Sequence, residues 1–443
     1  MISDSLVIEI TKAFVLNDDE LMLPDISKRK ALMGLFSLLL ANKVNPTRFS
    51  FFFNDDWNTN ETSAQFIKDY ADSPLANTVI SDLIILSDNI WEDVTKRIEK
   101  VRQLKGLDNL GFLNSLTLYE RVLHRLQEKA PKSPLQGSFP YQYWGEGFQN
   151  VLTALLPHNN IKNIYFPNAH RGELVSYIAT VIPSATIYSE SDDQSPIYIY
   201  QKLLIAGTEN AKIYEISSLE QETAINPGSM DLTVTASITS IQSPAQSSLH
   251  RKELKGFFAP SRIDLDSLGS NPSKEFALMQ QMLWALVEGG KGIIFVGKGP
   301  LQREKEAELR RTLLTSGAID SVIKLGDKLL GGRSTAVYAV LITKRKKANK
   351  SIFFLDASDF FEIRGKQSYL RDIERLRSSI TSRNNGVTVD QEKVSMGDAV
   401  LFPEFYLSKN TEVKAVDIEK LKLDLVETQK ITDHNFGLLE KLK

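Results

Sequence analysis

The order of apolar and polar residues divides the chain into stretches with different rhythms. From residue 1 to about 135, apolar positions recur mostly at helical spacing. Within Ile80 to Leu104, Ile84, Ile85, Ile90, Trp91, Val94 and Ile98 fall near one helical face. Ser81 or Asp82 can cap that helix. Asn109 to Glu128 repeats the pattern. Phe51-Phe52-Phe53 before Asn54-Asp55-Asp56 reads as a strand or packed turn, so the region is not purely helical.

Lys129-Ala130-Pro131-Lys132-Ser133-Pro134 reads as a linker, and beyond it the rhythm changes. Short runs at Ile161–Phe166, Ala185–Tyr188, Ala211–Ile216, Leu232–Thr235, Gly292–Val296, Ser321–Lys324 and Ala336–Thr343 predict strands. Gly172–Ile182, Tyr198–Leu204, Glu275–Val287 and Leu301–Thr315 predict helices between them. Such alternation predicts an α/β core over residues 136–365, with a mainly parallel sheet covered on both faces. Gly331-Gly332-Arg333-Ser334 predicts a tight antiparallel connection between the last two runs. Residues 366–443 read as a C-terminal extension. It has a charged helix at Ser368–Arg383, a loop at Arg383-Asn384-Asn385-Gly386 and a terminal helix within Asp417–Lys443. The terminal helix carries Ile418, Leu421, Leu425, Ile431 and Leu438; it packs on a partner or on the body, or is a solvated end. No internal repeat stands out.

Composition narrows the function classes. The chain has 443 residues, 42% of them hydrophobic, enough for two or three domains with sizeable cores. With 53 Lys+Arg against 55 Asp+Glu, any basic surface must be local. The absence of cysteine removes disulfides, zinc–thiolate centres, iron–sulfur clusters and cysteine nucleophiles. The start, MISDSLVIEITKAF, is unlike a signal peptide, and the apolar run from Leu32 to Ala41 is too short to span a bilayer. A cytoplasmic protein without a membrane partner is expected.

Four segments in order carry a resemblance. They are Ala285-Leu286-Val287-Glu288-Gly289-Gly290-Lys291-Gly292-Ile293-Ile294-Phe295-Val296, Ala307-Glu308-Leu309-Arg310-Arg311-Thr312-Leu313-Leu314, Ile319-Asp320-Ser321-Val322-Ile323-Lys324-Leu325 and Ile352-Phe353-Phe354-Leu355-Asp356-Ala357-Ser358. They resemble a helix, Gly-Gly turn and buried strand, then an "E-x-R-x-x-L-L" helix, an "L-E-A-V-I-x-L" strand and a "V-L-F-I-D-A-S" run. That order is similar to the modification subunit of type I restriction–modification systems, a DNA adenine methyltransferase, across roughly residues 140 to 365. The resemblance implies a Rossmann-like methyltransferase core using S-adenosylmethionine, behind the mostly helical N-terminal domain and before the C-terminal helical extension.

The same resemblance shows what is altered. The family's cofactor turn, "D-P-A-C-G-S-G-G-F", aligns without a gap on Phe166-Pro167-Asn168-Ala169-His170-Arg171-Gly172-Glu173-Leu174. Phe166 stands for the acid, and His170 and Arg171 for a glycine and a serine. Side chains at such a turn clash with a cofactor or strain the backbone. Glu173 would also set a negative charge near the cofactor's carboxylate. The family's catalytic N-P-P-F or N-P-P-Y accepts hydrogen bonds from the adenine amine and stacks on the flipped base. Here Ala236, Ser237, Ile238 and Thr239 occupy those four positions, without the amide or the ring. Glu190 or Asp192 stands where an acid would hold the cofactor ribose, unless both are ordinary loop acids.

Gly292 to Gly299 nearly spells a phosphate-binding loop, but its centre is a hydrophobic strand and Gly299 lacks the magnesium-binding hydroxyl. His124, His158, His170, His250 and His434 show no metal-ligand spacing. His170 with Arg171 faces DNA phosphate or fills an abandoned pocket. Lys344, Arg345, Lys346 and Lys347, with Lys350, form the densest basic cluster, a solvated turn or a DNA-phosphate contact. Arg371, Arg375, Arg377 and Arg383 would extend that surface. Phe139, Tyr141, Tyr143 and Trp144 loosely match a family element that closes the cofactor site, or simply pack in the core.

The expected function is a catalytically degenerate methyltransferase-like subunit with no cofactor. It would bind double-stranded DNA or act as a scaffold with other subunits of a restriction–modification or anti-phage complex, as an oligomer. The alternatives are an active S-adenosylmethionine-dependent N6-adenine DNA methyltransferase, and a protein-only interaction module docking through its terminal helix.

Overall fold

The computed structural model describes residues 2–14, 26–45, 75, 78–79, 88–108, 110–128, 145–157, 160–170, 172–191, 196–215, 225–237, 274–330, 336–345, 350–365, 367–396 and 398–410. The Phe51–Phe53 run, the first part of the Ile80–Leu104 helix, the linker at 129–134, the aromatics at 139–144, the Gly331–Ser334 connection and the terminal helix lie outside them.

Helices α1 (Asp4–Phe14), α2 (Ile26–Val44), α3 (Asp88–Arg102) and α4 (Phe112–Glu128) lead the chain, followed by α5 (Gly145–Leu155). The alternating part follows: β1 (Asn163–Phe166), α6 (Glu173–Val181), β2 (Thr186–Glu190), α7 (Ile197–Ile205), β3 (Ala211–Tyr214), β4 (Met230–Ser237), α8 (Lys274–Ala285) and β5 (Leu286–Val296). After it come α9 (Lys298–Gln302), α10 (Ala307–Thr315), β6 (Ile319–Lys324), β7 (Tyr338–Thr343) and β8 (Ser351–Asp356). The described chain closes with β9 (Phe361–Arg364), β10 (Gln367–Leu370), α11 (Ile373–Ser382), β11 (Val387–Asp390), α12 (Gln391–Ser395) and α13 (Glu404–Asn410).

Nine strands form one sheet in the order β11-β8-β6-β7-β5-β4-β1-β2-β3. The first five strands run parallel, β7 is antiparallel to both β5 and β6, and β11 is antiparallel to β8. Strand apolarity on both faces follows from two-sided burial. Phe166, Ile187, Val234, Ala236, Ile293 and Phe295 join the core beneath α1–α7, whereas Ile294, Val296, Val322, Val340 and Phe354 join that beneath α8–α10. Each fully buried Val, Ile or Phe side chain among these contributes roughly 1.5–3 kcal/mol. Helix α2 packs on α7, so the N-terminal helices lie against the first face. Because strand order reverses between β4 and β1, their carboxyl ends flank the crevice where open α/β sheets bind ligands.

All seven predicted strands are present, with shifted ends. Four differences are informative. The Gly289-Gly290 turn is not a separator: β5 starts at Leu286, runs through Gly289 at φ 79° and absorbs it as a register shift against β4. The helix expected over Leu301–Thr315 is broken at Arg303, which is extended at ψ 128°; its carbonyl accepts from Arg310 of the next helix at 2.9 Å. The helix expected over Ser368–Arg383 begins only at Ile373, capped by Asp372, whose side chain accepts from Arg375 N. Residues 367–370 are instead a strand, β10, paired antiparallel with β9, and β11 joins the main sheet. Among the described residues, no helix is long and apolar enough to cross a membrane.

Candidate functional site

The turn after β1 keeps a glycine-type backbone at two positions, one of them without the glycine. His170 has φ 49° and Gly172 φ 83°. For a residue with a side chain the left-handed region costs roughly 1–2 kcal/mol. At Gly172 space is limiting too: an added Cβ would lie 3.1 Å from Ile199 Cα on α7. Glycine there lets the turn pack closely on that helix before α6 begins.

The His170 side chain crosses the crevice. Its Nε2 lies 3.0 Å from the Ala236 carbonyl oxygen near the end of β4 and 3.2 Å from Asn168 Nδ2. Bonding to that carbonyl requires a hydrogen on Nε2, and an Nε2 so protonated does not also accept from Asn168 Nδ2. Supporting bonds hold the turn: Ala169 N donates to Glu190 O at 2.8 Å, Ser191 Oγ to His170 O at 2.8 Å, and Thr235 Oγ1 to Asn168 O at 3.3 Å. Asn168 Oδ1, Ser189 Oγ and Ser237 Oγ are buried at these strand ends without a hydrogen-bond partner.

The remaining expected positions are engaged elsewhere. Phe166 is fully buried in the core, and the Ala236 side chain is buried with it. Glu190 is fully buried, and its Oε2 accepts from Tyr165 Oη and, at 3.4 Å, from Gln281 Nε2 of α8. Gln281 Nε2 also donates to Tyr165 Oη at 2.7 Å. The acid at the end of β2 therefore points into the sheet's α8 side. Glu173 lies 3.5 Å from Lys202 Nζ, which is 2.6 Å from Glu120 of α4. Its charge is spent on a buried ion triad tying α6 and α7 to the N-terminal helices. Lys202 was missed from sequence, although it is the only charge in the apolar run Ile197–Ile205. Arg171, Asp192, Ile238 and Thr239 lie outside the described residues.

The basic cluster sits at the other edge. Since β7 runs antiparallel, its end at Thr343 places Lys344 and Arg345 at the sheet's amino edge, away from His170. Lys344 Nζ donates to Leu286 O at 2.8 Å and Trp284 O at 3.3 Å, capping the end of α8. Arg345 lies 2.6 Å from Asp320, which Arg383 also approaches at 3.2 Å. Lys346 and Lys347 lie outside the described residues. Arg371 donates to Phe361 O at 3.0 Å, Arg375 stacks on Phe360 at 4.3 Å, and Arg377 donates to Thr153 O at 2.8 Å. In the near-match to a phosphate loop, Gly292 to Val296 is strand and Lys298 Nζ sits 4.4 Å over the Phe402 ring. Among the described residues, no group of three or more His, Cys, Asp or Glu is placed to hold a metal ion.

A second cluster on the carboxyl edge, also missed from sequence, joins β6, β7 and β8. Lys324 Nζ lies 3.0 Å from Asp356 and 3.5 Å from Glu404, and Tyr338 Oη donates to Glu404 at 2.8 Å. Asp356 Oδ1 accepts from Ser358 N at 2.9 Å and from Ser358 Oγ at 2.5 Å. Burial works against the Lys324 charge, yet Asp356 and Glu404 outweigh it and raise its pKa. Burial likewise opposes the Asp356 charge, and the Ser358 bonds with Lys324 hold its carboxyl below the ordinary range. Burial and Glu404 raise the Tyr338 phenol.

The structure is similar to the type I restriction–modification methyltransferase subunit of Streptococcus thermophilus, with TM-score 0.63 and 15% identity over 91% of this chain and 99% of that one. It also resembles a chain of a type I restriction–modification system, with TM-score 0.58 and 14% identity over 99% and 98%. The type IIG restriction endonuclease BpuSI matches at TM-score 0.53 and 13% identity over 90% of this chain and 46% of that one. At such identities the likeness shows the fold, a class shared by many activities. The sequence profile of the N-6 DNA methylase family matches residues 186–416, more than half of the chain. The chain belongs to the N-6 DNA methylase family.

Proposed function

We propose that this protein is a non-catalytic member of its family, serving a restriction–modification or anti-phage complex as a DNA-binding or scaffolding subunit. The observation that carries this reading is the His170 bridge to Ala236 across the crevice. The family's implied methyl donor, S-adenosylmethionine, would have to pass between the β1 turn and the end of β4. The residues there do not fit it. The imidazole spans the gap, the β2 acid is turned onto Tyr165 and Gln281, and the carbonyl of Ala236 is already an acceptor for His170. Ala236 also lacks the amide that would orient an adenine amine.

The DNA part rests on the family and not on the basic cluster, because Lys344 and Arg345 are committed to internal partners. The partner-subunit part rests on the near-complete overlap with chains of type I systems. Calorimetry of the purified chain with S-adenosylmethionine tests the catalytic part: no binding is expected. Micromolar binding, or labelled methyl appearing in duplex DNA, would favour an active adenine methyltransferase instead. A mobility-shift assay at low salt, alone and with the products of neighbouring genes, tests the DNA part. A shift is expected, and its absence in every combination removes the DNA-binding role.

A further inference from the structure

We infer that Arg345 and Arg383 form a phosphate-binding pair at the amino edge of the sheet, oriented by Asp320. The site lies on the opposite edge from the His170 crevice and does not depend on the non-catalytic reading above. Its ligand is a phosphate oxyanion, free or on a nucleic-acid backbone.

The topology of the sheet brings these groups together. Strands β6 and β8 run parallel, so Asp320 near the start of β6 and Ser351 at the start of β8 lie on one edge. Strand β7 runs the other way and ends at Thr343, two residues before Arg345. Arg383 closes α11 just ahead of β11, which pairs with β8. Both guanidiniums meet on Asp320 Oδ1, Arg345 at 2.6 Å and Arg383 at 3.2 Å. Arg383 also donates to Ser351 Oγ at 3.1 Å, and Ser321 Oγ donates to the other Asp320 oxygen at 3.0 Å.

Pairing uses up only part of this charge. One carboxylate balances one of the two guanidiniums that it holds side by side. Lys350, exposed next to Ser351, adds a cation, and Asp390, opposite Ser351 on β11, adds a carboxylate. Three cations against two carboxylates leave these described groups with a positive surplus. A guanidinium carries five N–H donors in a fixed fork. Among the described residues, Arg345 donates to Asp320, and Arg383 to Asp320 and Ser351. The side chains are 37% and 30% exposed, so their remaining donors can reach an anion in solution. Such forks match the spacing of phosphate oxygens.

The backbone at Arg383 points the same way. It ends α11 in the left-handed region, at φ 51° and ψ 42°, a position where glycine is the low-cost residue. A side chain there is disfavoured by more than an exposed ion pair usually returns. Stability alone therefore does not account for an arginine, and a strained residue held by its surroundings marks a functional site.

Calorimetric titration of the whole chain with sodium pyrophosphate, at constant ionic strength, tests the site in wild type, Arg383→Gly and Arg345→Gln. Each variant leaves Asp320 with one partner, and thermal melting checks that it is folded. Wild type is expected to bind saturably. Either variant is expected to bind about tenfold more weakly, the loss of one charged hydrogen-bonding partner. Arg383→Gly should melt no lower than wild type, because glycine suits the left-handed angle; if it does not fold, Arg345→Gln carries the test. A second arm titrates a labelled DNA duplex over a range of salt concentrations. If the phosphate is that of a nucleic acid, the salt dependence of binding drops by about one contact in each variant. Equal slopes, or no DNA binding, together with weakened pyrophosphate binding assign the site to a free phosphate compound. Wild type that binds neither probe, or folded variants that bind both as wild type does, overturn the inference and leave the non-catalytic reading in place.

Discussion

At the ends of β1 and β4 a single imidazole spans the gap, whereas at the ends of β6 and β8 an ammonium, two carboxylates and a phenol interlock. Both lie on the carboxyl edge of one sheet. At the first, Asn168, Ser189 and Ser237 each leave a buried polar atom unpaired. At the second, Lys324 sits between Asp356 and Glu404, and Asp356 takes two further bonds from Ser358. Reciprocal charge and hydrogen bonding hold the second together, although Glu404 Oε2 there is also buried without a hydrogen-bond partner. The first is joined across β1 and β4 by one imidazole contact, with no ion pair among its described groups. The contrast predicts that substitutions at the two ends have different costs, and even different signs.

The largest effect should lie just behind the β1 turn, where anchoring of the turn can be separated from its filling. Lys202 is fully buried between Glu120 and Glu173. Lys202→Met leaves Glu120 and Glu173, both largely buried, without their shared cation, and breaking such a buried pair costs about 3–5 kcal/mol. Urea denaturation of the variant measures it. A loss under about 1 kcal/mol, the range of exposed pairs, would mean that the triad does not anchor α6 to the N-terminal helices.

A middling effect is expected at the interlocked end. Lys324→Met removes the shared partner of Asp356 and Glu404 and should cost about 2 kcal/mol, between exposed and fully buried pairs. The same network predicts a direction in pH. The folded Asp356 carboxyl is held below its ordinary value of 3.8, so its contribution is complete above that pH. It is lost as pH falls through the lower folded value. Lys324 is raised above 10.5, so its contribution is full below that pH and fades as pH climbs through the folded value. Urea midpoints measured from pH 5 downward should therefore fall more steeply for wild type than for Asp356→Asn. Parallel curves would remove the ion network from the account.

The two ends also differ in how far the sequence revealed them. Strands β4 to β7 are legible because buried strands read as continuous apolar runs, as in Gly292–Val296. The β9–β10 hairpin is not, since Glu362 and Arg364 interrupt its apolar residues. His170 can be placed at a glycine position by counting along the turn, but its reach to Ala236 depends on a strand 66 residues later. Glu190 is correctly an acid at a strand end, yet its direction is set by Tyr165 and by Gln281, 91 residues on. Lys324, Asp356 and Glu404 come from three elements with no shared spacing, so only the folded sheet brings them together.

The smallest effects give the sharpest comparison, because one substitution, serine to alanine, can be made at both ends. Ser358 Oγ donates to the Asp356 carboxylate at 2.5 Å, and a bond to a charged group is worth about 1.5–3 kcal/mol. Ser358→Ala should therefore destabilise, by an amount near the lower limit because the site is partly exposed. Ser237 Oγ is buried with no partner. Removing an unsatisfied hydroxyl relieves its desolvation cost, so Ser237→Ala should be neutral or stabilise by up to about 1 kcal/mol. Differential unfolding of the two variants under one set of conditions reads the signs directly. If Ser237→Ala costs as much as Ser358→Ala, the hydroxyl at the end of β4 already has a partner, and the crevice beside His170 is ordinary packed structure.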